Sequence, residues 1–184
     1  MSFRIVRASI TAERDDALHE TRLLLLLYHA GTRGDGSIDG ITKLAKLDFL
    51  LRYPNYCARL LRRIRRRVPE VPMESYEADT VESKMIRYRY GPWDARYRRW
   101  IAIIVGQGLA DTYVHGRTVH VRLTEAGKDI ARALAGQEDF SLLNERCELI
   151  ARTAGTLSGT ALKDLVYEVV PELTGMAWGE EITP

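Results

Sequence analysis

The stretch Gly108-Leu109-Ala110-Asp111-Thr112-Tyr113-Val114-His115-Gly116-Arg117-Thr118-Val119-His120-Val121-Arg122-Leu123-Thr124-Glu125-Ala126-Gly127 decides the fold. Gly108-Leu109 closes a preceding helix. Thr112 to Val114 and Thr118 to Leu123 read as two strands around His115-Gly116-Arg117, where glycine supplies the turn. Thr124 then caps a further helix, which carries Ile130, Ala131 and Leu134 on its inner face. Helix, Gly-Leu, hairpin and capped helix, in that order, are the layout of a winged helix. The expected fold class is therefore mainly α: a winged helix-turn-helix with one β-hairpin wing and additional C-terminal helices.

Working outward, a helix is expected from Leu18 to Ala30, apolar on nearly every face and so central to a domain. A Gly- and Asp-rich loop to Gly40 has room for a short strand around Ile38. Ile41, Leu44, Ala45, Leu47 and Leu51 recur at helical spacing and place Lys43 and Lys46 outside. Pro54 suits the first turn of a third helix. There Cys57, Leu60, Leu61, Ile64 and Val68 form one stripe, and Arg59, Arg62, Arg63 and Arg66 lie opposite. Residues 69–80 read as a linker. Met85 to Tyr90 alternates as a short strand or exposed extended segment, broken by Gly91-Pro92. A fourth helix is expected from Trp93 to about Gln107, with Arg96 and Arg99 outward. Two more follow, Phe140 to Arg152 and Thr160 to Val170, the latter with Ser158 or Thr160 as cap and Pro171 as stop. The domain reading is 1–17 as a lead-in with Ile5, Val6 and Ile10 as docking points, 18–136 as the winged-helix domain, and 137–184 as a helical extension.

At 184 residues with 46% hydrophobic and 28% charged residues, the chain suits one compact domain with a short appendage. The net charge of +2 argues neither for nor against nucleic acid. Its distribution says more: arginines crowd 59–67 and 84–99, while Asp164, Glu168, Glu172, Glu180 and Glu181 make the end acidic, so the two regions read as surfaces for different partners. Cys57 and Cys147 have neither a disulfide-framework nor a zinc spacing, which fits a cytoplasmic location. The Leu23–Leu27 run is too short to span a bilayer.

Catalysis needs convergent titratable groups, and the sequence offers none. His19, His29, His115 and His120 have no partner at metal-ligand spacing, so structural or solvated roles are expected. The glycine-rich 31–40 loop lacks the Gly-Lys-Ser/Thr ending of a phosphate loop. The expectation is no enzyme, no metal and no cofactor. Two surfaces remain. Arg59, Arg62, Arg63 and Arg66, with Arg117 at the hairpin tip, suit phosphates of double-stranded DNA or an acidic partner; a solvated charged face is the plain alternative. Tyr88, Tyr90, Trp93, Arg96, Arg99 and Trp178 are flat or forked side chains of the kind enriched at interface hot spots, and core padding is the equal alternative for Tyr88, Tyr90 and Trp93.

The segment Ile41-Thr42-Lys43-Leu44-Ala45-Lys46-Leu47-Asp48-Phe49-Leu50-Leu51-Arg52-Tyr53-Pro54 resembles the helical signature of the middle component of bacterial ATP-binding-cassette three-component (Lamassu-type) anti-phage defence systems. So do Val81-Glu82-Ser83-Lys84-Met85-Ile86-Arg87-Tyr88-Arg89-Tyr90-Gly91-Pro92-Trp93-Asp94, Leu123-Thr124-Glu125-Ala126-Gly127, and Gly159-Thr160-Ala161-Leu162-Lys163-Asp164. The resemblance spans roughly residues 20–182. It implies a winged-helix accessory subunit in a hetero-oligomer with an SMC/Rad50-like ATPase and an effector, often a nuclease, and carries over no catalytic residue. The alternative is a stand-alone winged-helix transcription regulator, which would offer a base-reading helix with Asn, Gln or Ser beside arginine.

Overall fold

The structure is a computed structural model, described for residues 16–31, 34–64, 70–78, 81 and 83–184. Ile5, Val6, Ile10, Arg66 and Val68, named above, lie outside the described residues. The chain is mainly helical with a small antiparallel sheet.

Helix α1 (Asp16–Ala30) carries five consecutive leucines, Leu23–Leu27, all buried. Burial on every face requires neighbours on every face, and α1 is ringed by the helices and sheet described below. Strand β1 (Ser37–Asp39) is the short strand expected around Ile38. Helices α2 (Ile41–Arg52) and α3 (Pro54–Ile64) follow, with Pro54 opening α3. A single 3-10 turn forms at Ser75–Ala78 in the expected linker.

A small hairpin, β2 (Ile86–Tyr88) and β3 (Gly91–Trp93), precedes α4 (Tyr97–Gly106). Here two expectations are corrected. Gly91-Pro92 does not break the extended segment; Gly91, at φ +111°, starts its return strand and pairs with Tyr88. Trp93 is therefore strand, not helix. The helix is delayed because the Asp94 carboxylate accepts from Arg96 N at 3.0 Å and the Asp94 carbonyl from Tyr97 N at 3.2 Å, setting the first turn after Pro92.

Helix α4 closes with Leu109 N donating to the Ile104 carbonyl at 2.9 Å and Gly108 at φ +73°, a left-handed glycine termination. Strands β4 (Ala110–His115) and β5 (Thr118–Leu123) form the expected hairpin, and the sheet order is β1-β5-β4, with Ile38 opposite Val121. Thr124 caps α5 (Glu125–Ala135) by accepting from Gly127 N at 3.0 Å. Helix α6 (Ser141–Thr153) packs on α1, and α7 (Gly159–Val169), capped by Ser158, packs on α2 and α3. A last turn, α8 (Glu172–Gly175), leads into the tail. Buried residues from α1 through to Ile182 make one continuous core.

Lys43 and Lys46 are not outside. They are 9% and 3% exposed, because the β2–β3 hairpin and α7 cover the faces of α2 that periodicity assigned to solvent. Among the described residues, no helix is long and apolar enough to cross a membrane.

Candidate functional site

The hairpin that carries Tyr88, Tyr90 and Trp93 is anchored by a buried ionic network. Asp48 of α2 accepts from Arg22 Nε of α1 at 2.7 Å, from Arg52 Nε at 2.9 Å, and from the Tyr97 hydroxyl. Arg52 reaches Asp94 at 2.9 Å, and Arg96 closes on Asp94 at 2.8 Å and on the Ser83 hydroxyl at 2.9 Å. Burial alone raises a carboxyl's pKa, but Arg22 and Arg52 outweigh it and hold Asp48 below its ordinary value. Asp94 is likewise held well below, against burial, by hydrogen bonds and charge from Arg96 and Arg52. Burial and the Asp48 charge push the Tyr97 hydroxyl up. The network is a clasp joining α1, α2, α4 and the segment before the hairpin. Its charges are spent on one another.

Sequence reading placed Arg96 at a partner surface; it is half-buried, stacks 4.9 Å over the Trp100 ring and grips Asp94. Arg99 is exposed and pairs with Asp16. Asp48, Arg52 and Asp94 were not picked out as a site. The available signal was a pair of opposite charges one helical turn apart, Asp48 and Arg52, inside an otherwise apolar run.

The hairpin face itself is exposed. Tyr88, Tyr90 and Trp178 are 47%, 51% and 68% accessible. The Tyr88 ring lies 6.3 Å from Trp93 and 6.3 Å from Trp178, so three of the expected interface residues form one aromatic cluster from distant parts of the chain. The tail brings Trp178 there by adding to β2. Gly179 N donates to the Arg87 carbonyl, Arg87 N to the Glu180 carbonyl and Ile182 N to the Met85 carbonyl, each at 2.8 Å. The Tyr53 and Tyr56 hydroxyls donate to the Ile182 and Thr183 carbonyls, and Ile182 is buried.

The arginine face of α3 is solvent-exposed, as expected, but it does not stand apart from the acidic end. Arg59 pairs with Glu172 at 2.8 Å and Arg63 with Glu168. The basic middle and acidic end meet each other across α3, α7 and α8 through these two pairs. Linear distance hid that packing. Arg62 is exposed, and Arg117 is exposed at the tip of the β4–β5 hairpin, beside Gly116 at φ +61°. The helix that directly precedes that hairpin is α4, not α3, and its exposed residues are Arg98, Arg99, Ala102 and Gly106.

Cys57 and Cys147 are buried; burial pushes the Cys57 thiol up to about 12 and Cys147 higher still. His19 is buried against Trp100, with ring centroids 4.3 Å apart, and His29 bonds Asn144 at 2.7 Å. Among the described residues, no group of three His, Cys, Asp or Glu residues is placed to hold a metal ion. No protein-family model matches the chain, and no curated protein or solved structure matches it significantly.

Proposed function

We propose that this chain is a non-catalytic winged-helix accessory subunit of a bacterial anti-phage defence complex, bridging an SMC/Rad50-like ATPase and an effector. The observation that carries the proposal is the exposed aromatic cluster in which Tyr88 meets both Trp178 and half-buried Trp93, with exposed Tyr90 on the same hairpin. Aromatic side chains bring large contact area at low entropic cost, and a cluster this exposed is the usual centre of a protein interface. It sits on the segment whose sequence resembles the defence-system component, and the clasp beneath gives it a rigid base.

The winged-helix reading is supported by the order α1, β1, α2, then α4, β4, β5, and by β5 lying between β1 and β4. The test is co-purification with an SMC-like ATPase encoded beside this gene. The wild-type chain is retained, and Tyr88→Ala with Trp178→Ala, folded by circular dichroism, is lost. Equal retention of the variant ends the proposal for this surface.

A second reading, a stand-alone DNA-binding regulator, is favoured by one observation: α4, with Arg98 and Arg99 exposed, leads directly into the hairpin tipped by Arg117. A homodimer that selects one operator without companion proteins decides for it.

A further inference from the structure

Between α2, the β2–β3 hairpin and α4 lies a cleft of about 190 Å³, lined by Thr42, Lys46, Tyr88, Tyr90, Trp93 and Arg98 among others. Its lining contains two cations and no carboxylate. Lys46 is 3% exposed, and its ammonium donates to the Thr42 carbonyl at 2.9 Å. An ammonium has three donors, and a buried charge is costly unless it is paired. Yet no carboxylate among the described residues lies within ion-pairing distance of Lys46. The carboxylates Asp48 and Asp94 pair with arginines instead, Asp48 with Arg22 and Arg52 and Asp94 with Arg52 and Arg96. Burial, and secondarily Lys163, lowers Lys46 to about 8, which is the strain expected of a cation lacking its counter-charge.

Gly91 contributes a second feature. It forms part of the cleft wall, and a Cβ there would sit 3.8 Å from Lys46 Cε, directly over the lysine stem. That is ordinary contact distance, so it is the φ of +111° in the turn that favours glycine there. Above it, the Tyr88 and Trp93 rings lie 6.3 Å apart and 32° from parallel, offering flat apolar faces beside the cation. The volume is below the roughly 300–1,000 Å³ of pockets for drug-sized ligands, so the fit is to something about the size of one ring system.

We infer that this cleft binds a small planar anion, an aromatic ring bearing one carboxylate or one phosphate monoester, with the ring against Trp93 and Tyr88 and the anionic group at Lys46, Arg98 standing at the rim. The inference goes beyond the partner reading and does not depend on it. Charge complementarity selects the anion, since the Lys46 ammonium gains the counter-charge that the chain itself does not supply. The flat walls select the ring, as stacked aromatic pairs stabilise contact beyond area alone.

The test uses the full chain and three classes of probe, followed by backbone-amide shifts and Trp fluorescence. Indole-3-carboxylate and phenyl phosphate represent the two anions; indole, phenol and inorganic phosphate are the halves. At least one ring-bearing anion is expected to shift Tyr88 to Trp93, with each half binding at least about tenfold more weakly, since charge-assisted contacts are the stronger kind. Which anion binds separates carboxylate from phosphate. Lys46→Met, checked by thermal melting, is expected to lose the response. Should that variant not fold, Arg98→Gln on the exposed rim is expected to weaken it several-fold. No shift at Tyr88 to Trp93 with either anion at millimolar concentration overturns the inference, as does undiminished binding by whichever of the two variants is folded.

Discussion

Asp48 and Arg52 stand one turn apart on α2 and form an ion pair at 2.6 Å in which the carboxylate is fully buried and the guanidinium side chain 1% exposed. Replacing Asp48 by Asn removes the buried carboxylate that Arg22 and Arg52 share and leaves Asp94 to balance Arg52. Breaking a buried pair from one side costs about 3–5 kcal/mol. Urea unfolding of Asp48→Asn is expected to show a loss of that size; under about 1 kcal/mol, the clasp is not the anchor described.

Acid is expected to destabilise the chain through the same carboxylates. Asp48 and Asp94 have folded pKa values below their unfolded value of about 3.9. The stabilisation they contribute is full above that value and lost as pH falls through the folded ones, where the folded state binds fewer protons than the unfolded chain. Urea midpoints measured from pH 6 down to pH 2 should fall only in the lower part of that range, and Asp94→Asn should shallow the slope.

Lys46 gives a slope of the same sign at higher pH, but there folding penalises the charged form rather than favouring it. Its folded value of about 8 lies under the unfolded value near 10.4, so between them the unfolded chain holds the extra proton and stability rises with pH. Comparing urea midpoints at pH 7 and pH 9, the gain of wild type should be absent in Lys46→Met. A parallel gain in both proteins counts against a burdened lysine.

Gly127 touches backbone that cannot move aside. A Cβ there would lie 1.8 Å from the Leu109 carbonyl oxygen, which also accepts from Thr124 N at 3.1 Å. Gly127→Ala raises helix propensity yet is expected to destabilise by about 1–3 kcal/mol through forced backbone displacement. A thermal melt at or above wild type contradicts that close approach.

The tail divides two effects. Ile182 is 1% exposed, so Ile182→Ala is expected to cost about 2–5 kcal/mol. Trp178, at 68% exposed, is expected to change stability by no more than about 0.5 kcal/mol when truncated to alanine, while weakening capture of a partner. A large stability loss from Trp178→Ala assigns that ring to the fold rather than to a surface.

The sequence by itself determined what is written in local chemistry. Gly108, Thr124 and Ser158 mark helix ends, the leucines of α1 mark the centre, and the two-strand hairpin at 110–123 is legible because turn glycine and alternation act over a few residues. The amphipathic face of α3 was legible for the same reason, as was Tyr88, Tyr90 and Trp93 sharing one segment. Only the tertiary structure decided who covers whom. Lys46 reads as solvent-facing from its spacing, and becomes buried because a hairpin closes over that face. Arg59 and Arg63 read as free cations until α7 and α8 bring Glu168 and Glu172 to them. Trp178 reaches Tyr88 only because the tail pairs with β2. Periodicity reports one element's preference for a face; the neighbour that occupies the face comes from residues tens of positions away, and that information is stored in packing rather than in spacing.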